Sequence, residues 1–240
     1  MASARFHLWS SIGKKLLTGL TGVGLIAFVV AHVAGNLSLL VGGPAFNAYA
    51  QKLHDLGALL IVAELGLVAL FGLHALSAVT VWWDGRQARA ERNTVVATKG
   101  PPSRQTWASR TMILTGGILL VFVVLHVIHF RFGPGVAQGY VTTVKGEQAR
   151  DLYKLVVETF KQPVPVIAYM AVMLLLGFHL RHGVWSAFQS LGALTPGLRG
   201  FAFSAAAVVA VVVALAFFVI PPYIFLFAPA VTTGGLAMVP

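Results

Sequence analysis

Five long apolar stretches constrain this chain more than any other feature of its sequence. Each is long enough to cross the hydrocarbon core of a bilayer, which requires about 20 apolar residues in a helix. Strand-like alternation of apolar and polar residues is absent, which argues against a membrane β-barrel. We therefore predict an all-α membrane protein with a single transmembrane domain over residues 1–240. Its spans are expected at about residues 16–41, 57–83, 111–130, 164–188 and 201–227.

The composition excludes several classes of protein. Of the 240 residues, 58% are hydrophobic and 10% are charged, whereas soluble domains carry about 25% charged residues. The chain has no cysteine, which excludes disulfides, thiolate-held metal clusters and cofactor attachment through cysteine within it. The net charge of +10 does not indicate nucleic acid, because the basic residues lie in loops between the apolar stretches. Lipid is the expected surrounding and nucleic acid is not an expected partner.

The distribution of the 17 Lys and Arg residues predicts the orientation in the membrane. Cytoplasmic loops are enriched in Lys and Arg, and most of the basic residues fall on the side of the N-terminus. We therefore expect a cytoplasmic N-terminus and an external C-terminus. The predicted external loop between the third and fourth spans carries an amphipathic helix at about residues 147–160. The basic residues of the predicted cytoplasmic side are Arg5, Lys14, Lys15, Arg86, Arg89, Arg92, Lys99, Arg104, Arg110, Arg181 and Arg199.

Four histidines within the spans fall at two depths. His32 and His126 lie about 25 Å along outward-running helices, and His74 and His179 lie about as far along inward-running ones. An ionisable residue within a membrane is costly and is a functional candidate by default. The sequence therefore predicts one pair of histidines near the outer face and a second pair near the cytoplasmic face.

A duplicated motif supports this pairing. The pattern T-G-x5-F-V-V-x-H-V occurs at residues 21–33 and again at residues 115–127, in the first and third spans. A weaker Gly-x-His echo precedes the histidines of the second and fourth spans. Such duplication predicts a four-helix bundle with a pseudo-twofold axis along the membrane normal, as in parallel repeats, and a fifth helix at its periphery. Under that symmetry His32 faces His126, and His74 faces His179.

Two neutral imidazoles from opposing helices are the axial ligands that a six-coordinate haem iron requires. We therefore predict two haem b groups, one on His32 and His126 and one on His74 and His179. Gly22 and Gly116 lie ten residues before the histidines of their own helices, near the depth of the other pair. We expect these glycines to leave room for a macrocycle, or to serve as small residues at a helix contact.

Five further residues are candidate cofactor contacts. His129 and His182 each lie three residues past a predicted ligand, on nearly the same helix face. They could replace those ligands, donate to haem propionates or mark an interface, and we favour the last two roles. Arg110 and Arg181 could anchor their helices at the membrane surface or pair with propionates. Trp185 could contact the cofactor or belong to the aromatic belt at the interface.

Glu64 is the only acidic residue within the predicted spans. Burial disfavours the charged form of an unpaired carboxylate, which would be protonated at this depth. Two roles are open for it: a proton carrier for quinone chemistry, or a hydrogen-bonding partner for a neighbouring helix.

The segment from Phe178 to Gly192 closely resembles the fourth-helix signature of the cytochrome b subunit of succinate dehydrogenase and fumarate reductase, in its single-chain, five-helix, dihaem form. Ser109-Arg110-x-Met112 with Thr115-Gly116, and Ala45-Phe46-Asn47, are also similar to that family. The resemblance implies axial ligands at His32, His74, His126 and His179. The pair on the first and third helices would hold the distal haem, and the pair on the second and fourth helices the proximal haem.

The resemblance also implies partners and a location. A flavoprotein subunit with FAD and an iron–sulfur subunit would dock on the cytoplasmic face of a bacterial inner membrane. The whole complex could form a higher oligomer. Quinone would exchange electrons with the haems. Glu64 does not match the acidic residue that fumarate reductases use in quinol oxidation. Two alternatives are a cytochrome b of a hydrogenase or formate dehydrogenase, and a haem-free, histidine-lined proton-coupled transporter.

Overall fold

The computed structural model describes residues 9–88 and 107–229. The predicted basic residues Arg5, Arg89, Arg92, Lys99 and Arg104 lie outside these ranges. The described helices are α1 (Ser11–Asn36), α2 (Gly43–His54), α3 (Ala58–Gln87), α4 (Trp107–Arg110), α5 (Met112–Phe130), α6 (Leu152–Phe160), α7 (Pro163–Ser190) and α8 (Leu198–Phe227). Strands β1 (Val141–Val144) and β2 (Glu147–Arg150) form one hairpin, and short 3-10 turns follow α1 and precede β1.

Five of these helices, α1, α3, α5, α7 and α8, are long and apolar enough to cross a membrane. The predicted multi-pass helical architecture is confirmed to that extent. Several helices extend beyond the predicted spans, as α3 does to Gln87 and α7 to Ser190. Helix α1 begins early, at Ser11, where the Ser10 hydroxyl accepts a hydrogen bond from the Gly13 N–H (3.1 Å).

Helix α8 runs through Pro221 and Pro222 and continues to Phe227. Each proline removes one backbone donor. Ile220, Pro221 and Ile224 are nevertheless buried, and Ile220 and Ile224 belong to the apolar cluster beneath α6. Side-chain packing therefore keeps this last part of α8 helical.

Contacts between helices place α1 against α3 and α7, and α5 against the same two neighbours. Helix α8 lies along α7, and it buries a row of alanines at helical spacing. Gly177 of α7 is so close that a Cβ there would lie 3.0 Å from the Cβ of Ala214. The fifth helix also reaches inward, since the Phe217 ring centroid lies 5.8 Å from that of His32. The peripheral position predicted for the fifth helix stays a prediction.

A small cap made of α2, the hairpin and α6 covers one end of the spanning helices, which we call the upper end. The predicted amphipathic helix at 147–160 is wrong in its first four residues, which pair antiparallel with β1. Lys145 and Gly146 form the turn, with φ angles of 51° and 86°. A two-residue turn with both φ angles positive matches the right-handed twist of a hairpin.

Helix α6 begins at Leu152 because Asp151 caps it, accepting a hydrogen bond from the Lys154 N–H at 2.9 Å. It buries one apolar face, as the spacing predicts. The buried residues of α6 are Tyr153, Leu155, Val156, Val157 and Phe160.

Helix α2 was not predicted, and it anchors the cap. Asn47 is 4% exposed. Its side-chain amide donates to the Asp151 carboxylate at 2.8 Å, and its carbonyl oxygen accepts from the Tyr153 N–H at 2.9 Å. One buried side chain therefore holds α2 against the start of α6.

Candidate functional site

The four spanning histidines lie at two levels. We call the level of His32 and His126 the upper level, since each of these residues lies four positions before the upper end of its helix. His74 and His179 form the lower level. None of the four side chains is exposed, and none is fully buried.

The two upper histidines face each other from α1 and α5. Their ring centroids are 5.9 Å apart and their planes are at 89°. A metal–imidazole bond is about 2 Å long and the ring nitrogen lies about 1 Å from the ring centre, so two imidazoles on one metal have centres about 6 Å apart. The observed separation therefore fits one metal ion between the two rings.

Aromatic rings pack around the upper pair. Phe28 stacks on His32 with centroids 5.4 Å apart, and Phe122 lies 5.5 Å from His126. Both are the phenylalanine of the duplicated motif, four residues before the histidine. One helical turn brings positions i and i+4 together, so the motif builds the same aromatic wall on each helix.

Polar contacts differ between the two upper histidines. The Tyr169 hydroxyl of α7 lies 3.2 Å from Nδ1 of His126. The Asn36 amide lies 3.4 Å from Nε2 of His32 and makes its shorter bond, 2.8 Å, to the carbonyl of the same residue. Nε2 of His126 is thus the nitrogen left for a metal. At His32 a metal on Nε2 would replace only the long contact with the Asn36 amide.

Each of the lower histidines lies within hydrogen-bonding distance of a threonine on the neighbouring helix. Thr21 Oγ1 lies 3.2 Å from Nδ1 of His74, and Thr115 Oγ1 lies 3.2 Å from Nδ1 of His179. The structure therefore holds the two predicted lower ligands in the same way, each by a threonine of the duplicated motif.

The glycines that follow these threonines lie directly against the same rings. A Cβ on Gly22 would be 3.4 Å from Cε1 of His74, and one on Gly116 would be 3.2 Å from Cε1 of His179. The prediction that both glycines lie at the depth of the other pair is confirmed. Imidazole rings lie beside both glycines, and the predicted room for a macrocycle stays a prediction.

Neither level is a multi-ligand metal cluster. Within residues 9–88 and 107–229, no group of three or more His, Asp or Glu side chains gathers as a metal site. Each level offers a pair of imidazoles, which is the number that a haem iron takes from protein in addition to its four porphyrin nitrogens. The donor set fits haem.

His129 and His182 have different surroundings. Nε2 of His129 lies 2.8 Å from the Thr159 hydroxyl of α6, which itself donates to the Leu155 carbonyl. His129 therefore donates to the cap. His182 lies one turn beyond His179 on α7 and is half-buried. Their predicted propionate contacts stay predictions.

Arg181 and Trp185 both pack on Phe203 of α8. The Arg181 guanidinium lies 5.5 Å from the Phe203 ring centre, and the Trp185 ring meets it edge to face at 5.8 Å. Arg110 is exposed at the end of α4. The first two residues thus join α7 to α8, and a propionate role for the arginines stays a prediction.

Glu64 is paired with Arg131, which follows the last residue of α5. Oε1 of Glu64 lies 2.6 Å from Nε of Arg131, and Oε2 lies 3.2 Å from Nη2. The hydrogen bond that Arg131 donates to Glu64 is the main cause that raises the pKa of Arg131, so the guanidinium stays charged. Of the two predicted roles, the hydrogen-bonding partner between helices matches this contact.

Sequence reasoning missed Thr21, Thr115 and Tyr169 as contacts of the histidines. The partners of the two threonines lie 53 and 64 residues away in sequence, which spacing within one helix does not reveal. The motif did carry a signal, since a polar residue repeated eleven positions before both upper histidines is at the depth of the lower pair.

No protein-family model, curated protein or solved structure matches this chain. The geometry of the two levels is therefore the ground on which a function is assigned.

Proposed function

We propose that this chain is a dihaem cytochrome b, the membrane-anchor subunit of a succinate:quinone oxidoreductase of the succinate dehydrogenase and fumarate reductase family. The observation that carries the proposal is the facing pair His32 and His126, whose ring centres are separated as one metal ion requires. The matching contacts of His74 and His179 support a second site of the same kind.

A haem b at each level would supply reversible one-electron transfer. His32 and His126 would hold one haem and His74 and His179 the other, and a haem held by two imidazoles would carry electrons without binding oxygen or substrate. Phe28 and Phe122 cover the upper imidazoles and keep water from them. The chain's own residues therefore bind and shield cofactors and carry no covalent chemistry.

The two levels lie along a path through the membrane. Gly22 contacts His74, and it precedes His32 by ten residues on the same helix, or about 15 Å of helix rise. Electrons would pass between an iron–sulfur subunit at the lower end and quinone in the membrane through these two sites. FAD and the iron–sulfur clusters would belong to the partner subunits.

The cofactor assignment is tested on the intact purified protein. We expect two haem b per chain by pyridine haemochrome assay, and low-spin signals typical of two imidazole ligands by electron paramagnetic resonance. A colourless protein would overturn the proposal and favour the haem-free transporter.

The partner assignment needs a separate test. Affinity purification of the intact complex from its native membrane should recover a flavoprotein and an iron–sulfur protein, together with succinate oxidation coupled to quinone reduction. Recovery of hydrogenase or formate dehydrogenase activity instead would keep the two haems and overturn the succinate assignment.

The proposed orientation in a bacterial inner membrane is testable because the chain has no cysteine. Lys145→Cys places a thiol at the hairpin turn of the upper end, and Arg86→Cys places one near the lower end of α3. A membrane-impermeant thiol reagent should label the first in intact cells and the second only after lysis. The reverse pattern would overturn a cytoplasmic N-terminus.

A further inference from the structure

Each lower histidine contacts a threonine hydroxyl that also bonds a carbonyl of its own helix. Thr21 Oγ1 donates to the Leu17 carbonyl at 2.7 Å, and Thr115 Oγ1 lies 3.2 Å from the Met112 carbonyl. A hydroxyl has one proton to donate and two lone pairs to accept with. Thr21 therefore acts as an acceptor towards His74, whose Nδ1 lies farther away at 3.2 Å. Thr115 is as far from His179 as from the carbonyl, and we infer the same role for it because it occupies the same position of the duplicated motif.

An accepting oxygen at Nδ1 fixes the state of the ring. Nδ1 must carry the proton, and the lone pair of a neutral imidazole is then on Nε2. Both threonines are buried, with Thr21 at 4% and Thr115 at 3% exposure, so water does not compete for these contacts. His74 and His179 are thus held in the tautomer that a metal needs.

We propose that Thr21 and Thr115 are the positioning residues of the lower haem site, each accepting from Nδ1–H of a histidine on the next helix and presenting Nε2 to the iron. This proposal rests on the proposed dihaem function. Gly116 completes the arrangement, because a Cβ there would lie only 3.2 Å from Cε1 of His179, whereas one on Gly22 would lie at an ordinary contact distance, 3.4 Å, from Cε1 of His74.

The duplicated motif accordingly serves both levels. Its Thr-Gly end, at Thr21 on α1 and Thr115 on α5, holds the lower ligands, and its Phe-His end builds the upper site. At the upper level the polar contacts come from outside the motif: Tyr169 lies on α7, and Asn36 is beyond the repeated residues. The repeated threonine therefore contacts the histidines of the lower level and not those of the upper level.

An acceptor at Nδ1 makes the imidazole a stronger donor to the metal, and such outer contacts affect metal affinity by about 10–100-fold. A stronger donor favours the ferric iron. Removal of the hydroxyl should therefore raise the midpoint potential of the lower haem and weaken its retention.

The experiment uses the intact complex with Thr21→Val and Thr115→Val, which keep the shape of the side chain, and with Thr21→Ser and Thr115→Ser, which keep the hydroxyl. Redox titration of the haem absorbance and haem content per chain are measured. The valine variants should shift one haem to a more positive potential and lower its occupancy, and the serine variants should restore wild-type values. Thr80→Val, whose hydroxyl bonds only the Ser77 carbonyl among the described contacts, is the control and should change neither haem.

The upper haem reports folding in the same samples. If the valine variants keep both haems at wild-type potentials, or if serine fails to restore the shifted one, the positioning role is overturned while the dihaem function stands. If a valine variant shifts both haems equally, the effect is general to the fold and the proposal also fails. A wild-type protein without haem overturns the proposed function itself.

Discussion

Tyr169 of α7 and His126 of α5 are joined by a 3.2 Å contact between the phenol oxygen and Nδ1. Tyr169 also packs edge to face against Phe122 and Phe160. The hydroxyl is the one polar group that this aromatic cluster directs at a candidate ligand, so it is the contact most easily removed without disturbing the packing.

Tyr169→Phe should raise the midpoint potential of one haem and leave the other unchanged. The phenyl ring keeps the aromatic contacts, whereas His126 loses the partner of its Nδ1. Redox titration of the purified complex checks this. Tyr223→Phe removes the same hydroxyl group on α8 and should leave both midpoint potentials at their wild-type values. An equal response of the two variants would contradict the assignment.

His126→Ala should remove one haem and spare the other. An iron held by His32 and His126 would lose one of its two ligands, while the lower level keeps His74 and His179 with their threonines. Haem content per chain should fall by about half. The control is His54→Ala on the exposed end of α2, which should retain both haems. Loss of both haems from His126→Ala would show that the two levels are not independent.

Gly116→Ala should disturb the lower site more than Gly22→Ala. The added methyl group would lie 3.2 Å from Cε1 of His179 in the first case and 3.4 Å from Cε1 of His74 in the second. Only the shorter contact forces a ring to move, and overpacking typically costs about 1–3 kcal/mol. Haem content and thermal stability of the two variants are compared, and equal effects would argue against this packing.

Asn47→Ala should loosen the cap by about 1–3 kcal/mol, the cost of leaving buried polar groups without partners. The Tyr153 N–H and the Asp151 carboxylate both lose a hydrogen bond. Amide hydrogen exchange at the start of α6 is the direct measurement. Lys52→Ala, on the exposed side of α2, is its matched control, and unchanged protection in Asn47→Ala would remove Asn47 from this role.

Glu64→Gln should keep both haems and lower the thermal stability, because Arg131 loses its charged partner. Thermal unfolding measures the change in stability, and haem content shows whether both haems are retained. A loss of quinone-linked electron transfer with both haems in place would instead support the proton-carrier role.

The parts of the fold that follow from composition and periodicity were predictable. The five spanning helices and the apolar face of α6 follow from runs of apolar residues. Helix α2 and the hairpin were missed because they are short, and β1 and β2 have only four residues each. Such segments carry too little periodic signal to distinguish them from a loop.

The candidate site, like the fold, could be predicted from the sequence only in part. The facing of His32 and His126 followed from the duplicated motif, since equal spacing places both histidines at one depth. The partners of single atoms did not follow. Glu64 pairs with a residue 67 positions away, and Thr115 with one 64 positions away. Contacts of this kind depend on helix rotation, which sequence spacing within one helix does not fix.

Ten residues of uninterrupted helix separate Gly22 from His32, and Gly116 from His126. Each of α1 and α5 therefore sets a fixed distance between the glycine that contacts the lower level and the histidine of the upper level. Inserting one residue between the glycine and the histidine would turn the histidine side chain by about 100° around the helix axis. The segment between them should accordingly accept many substitutions but no change of length.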